Sequence, residues 1–107
     1  MKLLEGKVAL ITGAATGIGK RIAEVFAEQG AKIAFSHIGP DDLAKQVEAD
    51  LNKITTAKEY HSNAADFDEA QKLIDDVIAD FGQIDILVNN AGITRDNLLL
   101  RMSKEEW

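Results

Sequence analysis

Apolar positions along this chain alternate between two rhythms, one of strands and one of helices. "KVALIT" (Lys7–Thr12) is a short, nearly continuous apolar run rich in branched side chains, as expected of a strand covered on both faces of a parallel sheet. Beyond a glycine-rich turn, Ile18, Ile22, Val25 and Phe26 recur at i, i+4, i+7 and i+8, one face of a helix, and Gly30 supplies its left-handed C-cap. "KIAF" (Lys32–Phe35) reads as a second strand. Pro40 then takes the first helical position, and Leu43, Val47, Leu51 and Ile54 form the next apolar stripe. "KEYHS" (Lys58–Ser62) is a weaker strand, and Asp66 with Glu69 is a capping signal for a helix that turns Leu73, Ile74, Val77, Ile78 and Phe81 inward. Gly82 closes that helix, and "IDILVNN" (Ile84–Asn90) is a fourth strand. Short connections in the order βαβαβαβ, with right-handed crossovers, predict a doubly wound parallel α/β sheet with strand order 3-2-1-4.

Composition narrows the function classes. The chain of 107 residues suits one small domain, 46% hydrophobic and 28% charged, with no repeat or low-complexity run. A net charge of −6 argues against nucleic acid, which needs a basic face to displace counterions. Absence of Cys excludes disulfides, thiolate nucleophiles and zinc sites of cysteine type. The N-terminal "MKLLEGKVALIT" is broken by Glu5, Gly6 and Lys7 and makes no signal peptide, and no segment approaches the ~20 apolar residues of a membrane span. A cytoplasmic location is the expectation.

The chemistry begins at "TGAATGIGKR". Gly13, Gly17 and Gly19 crowd a sharp turn from strand to helix. There the lack of a Cβ lets backbone N–H groups and the helix N-terminus approach a pyrophosphate. A Walker A loop fails twice, because Ala14 stands where its first Gly belongs and Arg21 where Ser or Thr would hold Mg²⁺. The spacing G-x-G-x-x-G fails at Ala15. A flavodoxin-like receiver fits poorly, since it wants an acidic cluster or flavin loop and not three glycines. What remains is T-G-x-x-x-G-x-G, spelled by Thr12 to Gly19.

With "NNAG" (Asn89–Gly92) after the fourth strand, that spelling resembles the short-chain dehydrogenase/reductase family over all 107 residues. The segment "DILVNNAGITRDNLLLRMSKEEW" is similar to that of the bacterial 3-oxoacyl-[acyl-carrier-protein] reductases within it. The resemblance implies a Rossmann-type NAD(P)-binding domain over residues 1–107. It implies NADPH-dependent reduction of a 3-oxoacyl thioester on acyl carrier protein in fatty-acid biosynthesis, and a homotetrameric parent. Carried over by motif, Gly13, Ala14, Ala15, Thr16, Gly17, Ile18 and Gly19 surround the pyrophosphate and adenosine ribose. Asn63 and Ala64 grip adenine, and Asn90, Ala91, Gly92 and Ile93 line the nicotinamide-side ribose. NAD-preferring members place an acidic residue at the end of the second strand to bind the ribose 2′-OH. Here Ser36 and His37 stand there, with no carboxylate until Asp41. NADP is therefore the expected cofactor, held at its 2′-phosphate by Ser36 and His37, although Thr16 replaces the Arg that NADP-binding members usually carry in the glycine turn. Otherwise His37 is an exposed loop histidine.

The family's catalytic residues are an Asn, a Ser and a Y-x-x-x-K pair, in which the Lys depresses the Tyr pKa so that a phenol can donate a proton near neutral pH. Tyr60 is the one Tyr, and Ala64 stands four residues on where Lys is required. No catalytic residue is therefore assigned within the chain; Tyr60 reads as a strand residue at the sheet margin. Ser103 with Glu106 opens a helix of which only Trp107 lies beyond the signal, and the apolar "ILV" of the fourth strand calls for a further strand beside it. The chain is thus expected to be the N-terminal part of a reductase, without turnover by itself. Two alternatives stay open: a short-chain reductase acting on a sugar, polyol or polyketide, and a non-catalytic nucleotide-binding module.

Overall fold

The computed structural model describes residues 2–15 and 17–90. The expectations for Thr16, for Ala91, Gly92 and Ile93, and for the capping signal at Ser103 fall outside them. Four parallel strands, β1 (Val8–Thr12), β2 (Lys32–His37), β3 (Ala57–His61) and β4 (Ile86–Asn89), line up as β3-β2-β1-β4, the order expected from the crossovers. They alternate with α1 (Gly17–Glu28), α2 (Asp41–Leu51) and α3 (Phe67–Phe81).

Alternation along the strands divides the core into two layers. Ala9 and Ile11 of β1 and Ile33 and Phe35 of β2 pack with Ala23, Ala27, Ala44, Val47 and Leu51, the faces of α1 and α2. Leu10 and Ala34, one residue out of phase, pack with Leu73 and Val77 of α3. Every residue of β1 is buried, as a strand covered on both faces must be. Each fully buried Leu, Ile or Phe of this sheet contributes about 1.5–3 kcal/mol relative to exposure.

The helices turn less of their apolar stripes inward than the periodicity predicts. In α1 the buried seam is Gly19, Ala23 and Ala27, at i, i+4 and i+8, flanked by Ile22 and Phe26. Ile18 and Val25 face solvent, against expectation. Small side chains draw this helix close to the sheet, and the branched residues on its shoulders are left outside. In α2 the seam is Ala44, Val47 and Leu51, and Leu43 and Ile54 are exposed, Ile54 lying past the helix end. Ile78 of α3 is likewise exposed. Pro40 is not the first helical residue but the N-cap, with an extended ψ of 138°, and Asp41 and Asp42 occupy the first turn, where the macrodipole favours acids.

Helix ends follow the expected chemistry more closely. Gly30 (φ 97°) and Gly82 (φ 89°) end α1 and α3 in the left-handed region. Asp66 accepts from Glu69 N at 3.0 Å. The Glu69 carboxylate does not reach back to Asp66; it takes Asn63 N at 2.8 Å. β2 runs two residues past Phe35, because Ser36 and His37 still find partners, Thr12 on β1 and His61 on β3. No helix among the described residues is long and apolar enough to cross a membrane.

Candidate functional site

The carboxyl ends of the strands carry two distinct corners. The first joins β1, α1 and β4. Gly13 (φ 71°) and Gly17 (φ 64°) adopt the left-handed conformation that turns the chain from strand into helix. Gly13 N and Ala14 N donate to Ser36 O at 2.9 and 3.2 Å, which pins the turn to β2. On the other side Asn90 Nδ2 donates to Gly13 O at 3.1 Å, and Thr12 Oγ1 donates to Asn89 Oδ1 at 3.1 Å. Gly19 completes the corner. A Cβ there would sit 2.5 Å from Gly13 O and 2.6 Å from Asn90 Nδ2, a space that no side chain can enter.

The result is a helix N-terminus, uncapped by any acidic side chain in its first turn, opening beside a loop of backbone amides. Its first N–H groups lack intrahelical acceptors and carry the positive end of the dipole, so the corner favours an anion such as a pyrophosphate. Of the residues expected around that group, Ala14 is buried, Ala15 half-buried and Ile18 exposed at the start of α1.

The second corner joins β2, β3 and α2, and it is rich in titratable groups. Ser36 and His37 are both buried. Ser36 serves through its carbonyl, and its Oγ has no hydrogen-bond partner among the described residues. The exposed-loop alternative for His37 is overturned: it is the last residue of β2, its Nε2 lies 2.6 Å from Glu59 Oε1, and its Nδ1 is buried without a partner among the described residues. The His61 ring stands edge-on to it at 5.2 Å. Lys45 Nζ reaches Glu59 Oε2 at 2.8 Å. Burial by itself would raise the Glu59 pKa, but hydrogen bonds and charge from Lys45 and His37 more than offset this and hold the carboxyl below its ordinary value. Glu59 was missed from the sequence, where the nearest carboxylate to His37 is Asp41, because only the β2–β3 register brings it across. In the structure Asp41 Oδ1 is 3.9 Å from Nε2, and Glu59 is the closer.

Asn63, just past β3, uses Oδ1 to accept from Ala65 N at 2.9 Å and its carbonyl to accept from Asp66 N, building the turn into α3, with Ala64 half-buried within it. Tyr60 does sit at the sheet margin, donating to Asp80 Oδ2 at 2.7 Å. Burial, then the Asp80 carboxylate, push its phenol upward, the opposite of what a phenolic acid catalyst at neutral pH requires.

A glycine turn pinned to β2, closed by Asn90 and set on a parallel sheet of this order is the dinucleotide-fold arrangement, and the chain belongs to the short chain dehydrogenase family, whose pattern it matches over residues 7–107. Among individual relatives it is 45% identical over 102 residues to the 3-oxoacyl-[acyl-carrier-protein] reductase FabG of Staphylococcus aureus, covering 94% of this chain and 42% of that protein. A short-chain dehydrogenase/reductase from Serratia marcescens superposes with a TM-score of 0.80 at 34% identity, over 84% of this chain and 37% of the other. The 2-keto-3-deoxy-D-gluconate dehydrogenase of Streptococcus agalactiae does so with a TM-score of 0.74 at 43% identity, over 96% and 39%. The chain thus spans about two fifths of the length of the relatives it matches.

Proposed function

We propose that this chain is the cofactor-binding portion of an NADP(H)-dependent 3-oxoacyl-[acyl-carrier-protein] reductase of fatty-acid biosynthesis, cytoplasmic and homotetrameric as a full-length protein. The observation that carries the reading is the closed first corner: Gly13, Gly19 and Asn90 meet at a distance only glycine permits, joining the two sequence motifs in one place. Backbone N–H groups of the turn and of the α1 start would hold the pyrophosphate, Asn63 and Ala64 would flank adenine, and Ser36 and His37 would face the adenosine ribose. Asn90 would position the nicotinamide-side ribose, with Ala91, Gly92 and Ile93 beside it. The nicotinamide, when bound, supplies hydride for the substrate carbonyl.

Support for the acyl-carrier-protein substrate is the FabG similarity, while the sugar-acid dehydrogenase at comparable identity keeps other carbonyl substrates as the alternative. Titration calorimetry tests the binding half. NADP⁺ should bind the chain, and G19A should abolish that binding; wild-type protein that binds neither NADP⁺ nor NAD⁺ overturns the reading. The 107 residues alone should show no reduction of an acetoacetyl thioester, and measurable turnover by them would sink the assignment of the catalytic groups elsewhere.

A further inference from the structure

Among the described strands β3 ends the sheet on one side, and its outward backbone groups are answered by side chains of α2 and its C-cap. Which groups face outward follows from the pairing with β2. Ile33 N donates to Thr56 O at 2.9 Å and Ser62 N donates to His37 O at 3.0 Å, so the two residues flanking β3 both bond inward. With a period of two, Lys58 and Tyr60 do the same, and Ala57, Glu59 and His61 turn their N–H and C=O groups to the edge. Such a row is a template on which another chain can add a strand.

Here much of the template is occupied. Asn52, the C-cap residue of α2, accepts from Ala57 N through Oδ1 at 3.0 Å and donates from Nδ2 to Ala57 O at 2.9 Å. These are the two bonds that a residue directly opposite would exchange in an antiparallel pair, so one side-chain amide stands in for a strand neighbour. The same Nδ2 donates to Glu48 O at 2.9 Å, and with two carbonyls beside it the amide has one orientation. One turn back on the helix, Glu48 Oε2 accepts from Glu59 N at 2.9 Å, the next outward donor. Lys45 Nζ, a further turn back, holds the Glu59 side chain at 2.8 Å. Just past the strand, Glu69 Oε1 accepts from Asn63 N at 2.8 Å. Lys45, Glu48 and Asn52 stand at i, i+3 and i+7, one stripe of the helix, while the packing of α2 rests on the neighbouring stripe of Ala44, Val47 and Leu51. We propose that this polar stripe closes the β3 edge against strand addition and so keeps copies of the chain from joining sheet to sheet through β3.

Hydrogen exchange read by mass spectrometry tests this on the chain, because a peptide covering β3 reports one edge of the described sheet and a peptide covering β4 reports the other. In wild type, exchange at β3 should not depend on protein concentration. In E48A/N52A it should slow by about tenfold or more over about a hundredfold rise in concentration, with larger species appearing in sedimentation, while β4 behaves as in wild type. E48A alone bares only Glu59 N and leaves Asn52 in place; it should show the same change in smaller degree, and it carries the test if the double variant folds poorly. T55V is the matched control. It removes the bond of 2.7 Å from Thr55 Oγ1 to Ala31 O, in the same connection, and leaves the outer edge covered. It should lose stability without concentration-dependent protection of β3. Exchange at β3 that is independent of concentration in both E48A and E48A/N52A overturns the proposal. Equal association of T55V through β3 overturns it too, because the effect would then trace to lost stability and not to the uncovered edge.

Discussion

The two corners at the carboxyl edge of the sheet are built from opposite materials. The β1–α1–β4 corner uses glycine, alanine and neutral side chains, and its positive character comes from the start of α1. The β2–β3–α2 corner is held by the side chains of His37, Glu59, Lys45 and His61. One takes its geometry from backbone conformation; the other is held by ion pairs and hydrogen bonds between side chains. A binding site assembled from both would fix the position of its ligand with the first and discriminate among ligands with the second. The difference can be attacked from either side.

The largest effect is expected at Gly19. In G19A the new methyl would press on Gly13 O and Asn90 Nδ2 at 2.5 and 2.6 Å, and one of these is backbone. The helix must then lift from the sheet or the turn must open, and overpacking of this kind costs about 2–3 kcal/mol. A thermal or urea melt should show that loss, together with loss of nucleotide binding. An unchanged melt would mean that the corner is less closely packed than the distances require. Gly17 offers the matched comparison: no atom surrounds its missing Cβ, so G17A should cost only the strain of a left-handed alanine, about 1 kcal/mol.

That contrast also explains which parts of the molecule were legible in the sequence. The first corner was readable because local backbone conformation dictates it: three glycines at fixed spacing admit few structures, and the strand order follows from crossover handedness. The family spelling then carried Asn90 to the same place. The second corner depends on register between strands, which leaves no local trace. Glu59 is 22 residues from His37, and nothing in "KEYHS" announces that its second residue faces a histidine. Helix faces failed for a related reason. Hydrophobic periodicity favours the bulkiest apolar side chains, whereas close helix–sheet contact selected Ala23, Ala27 and Ala44 and left Ile18 and Leu43 outside. Periodicity identifies a helix reliably, but the choice among neighbouring faces is made by the space the sheet leaves.

Glu59 is the next test in size, and here the second corner should show its dependence on charge. Removing the carboxylate in E59A strands a buried His37 Nε2–H and releases Lys45, a loss of about 1–3 kcal/mol near neutral pH. The sign of the pH dependence is fixed. The folded pKa of Glu59 lies below its unfolded value, so its contribution is present above the unfolded pKa and is lost as pH falls through the folded one. Urea melts from pH 7 down into the range of carboxylate titration should show wild type losing an increment that E59A has already lost. A gap between the two proteins that stays constant with pH would show that the carboxylate acts only through packing.

The smallest effect on stability belongs to Asn90, and it separates holding the fold from holding a ligand. In N90A the part-buried hydrogen bond from Nδ2 to Gly13 O is lost, at about 1 kcal/mol. The strand itself should be unaffected, since Ile86–Asn89 pairs with β1 through its backbone. The turn, however, would lose its tether on the β4 side while keeping Ser36 O on the other. Nucleotide affinity should therefore fall by more than stability does, by about tenfold or more against a melt shifted by a few degrees. Equal losses in affinity and stability would mean that Asn90 acts on the ligand only by keeping the sheet folded. A larger loss in affinity would assign it to the glycine turn, whose Gly13 O its side chain holds from just past β4 through a hydrogen bond that a mutation can remove without touching the backbone.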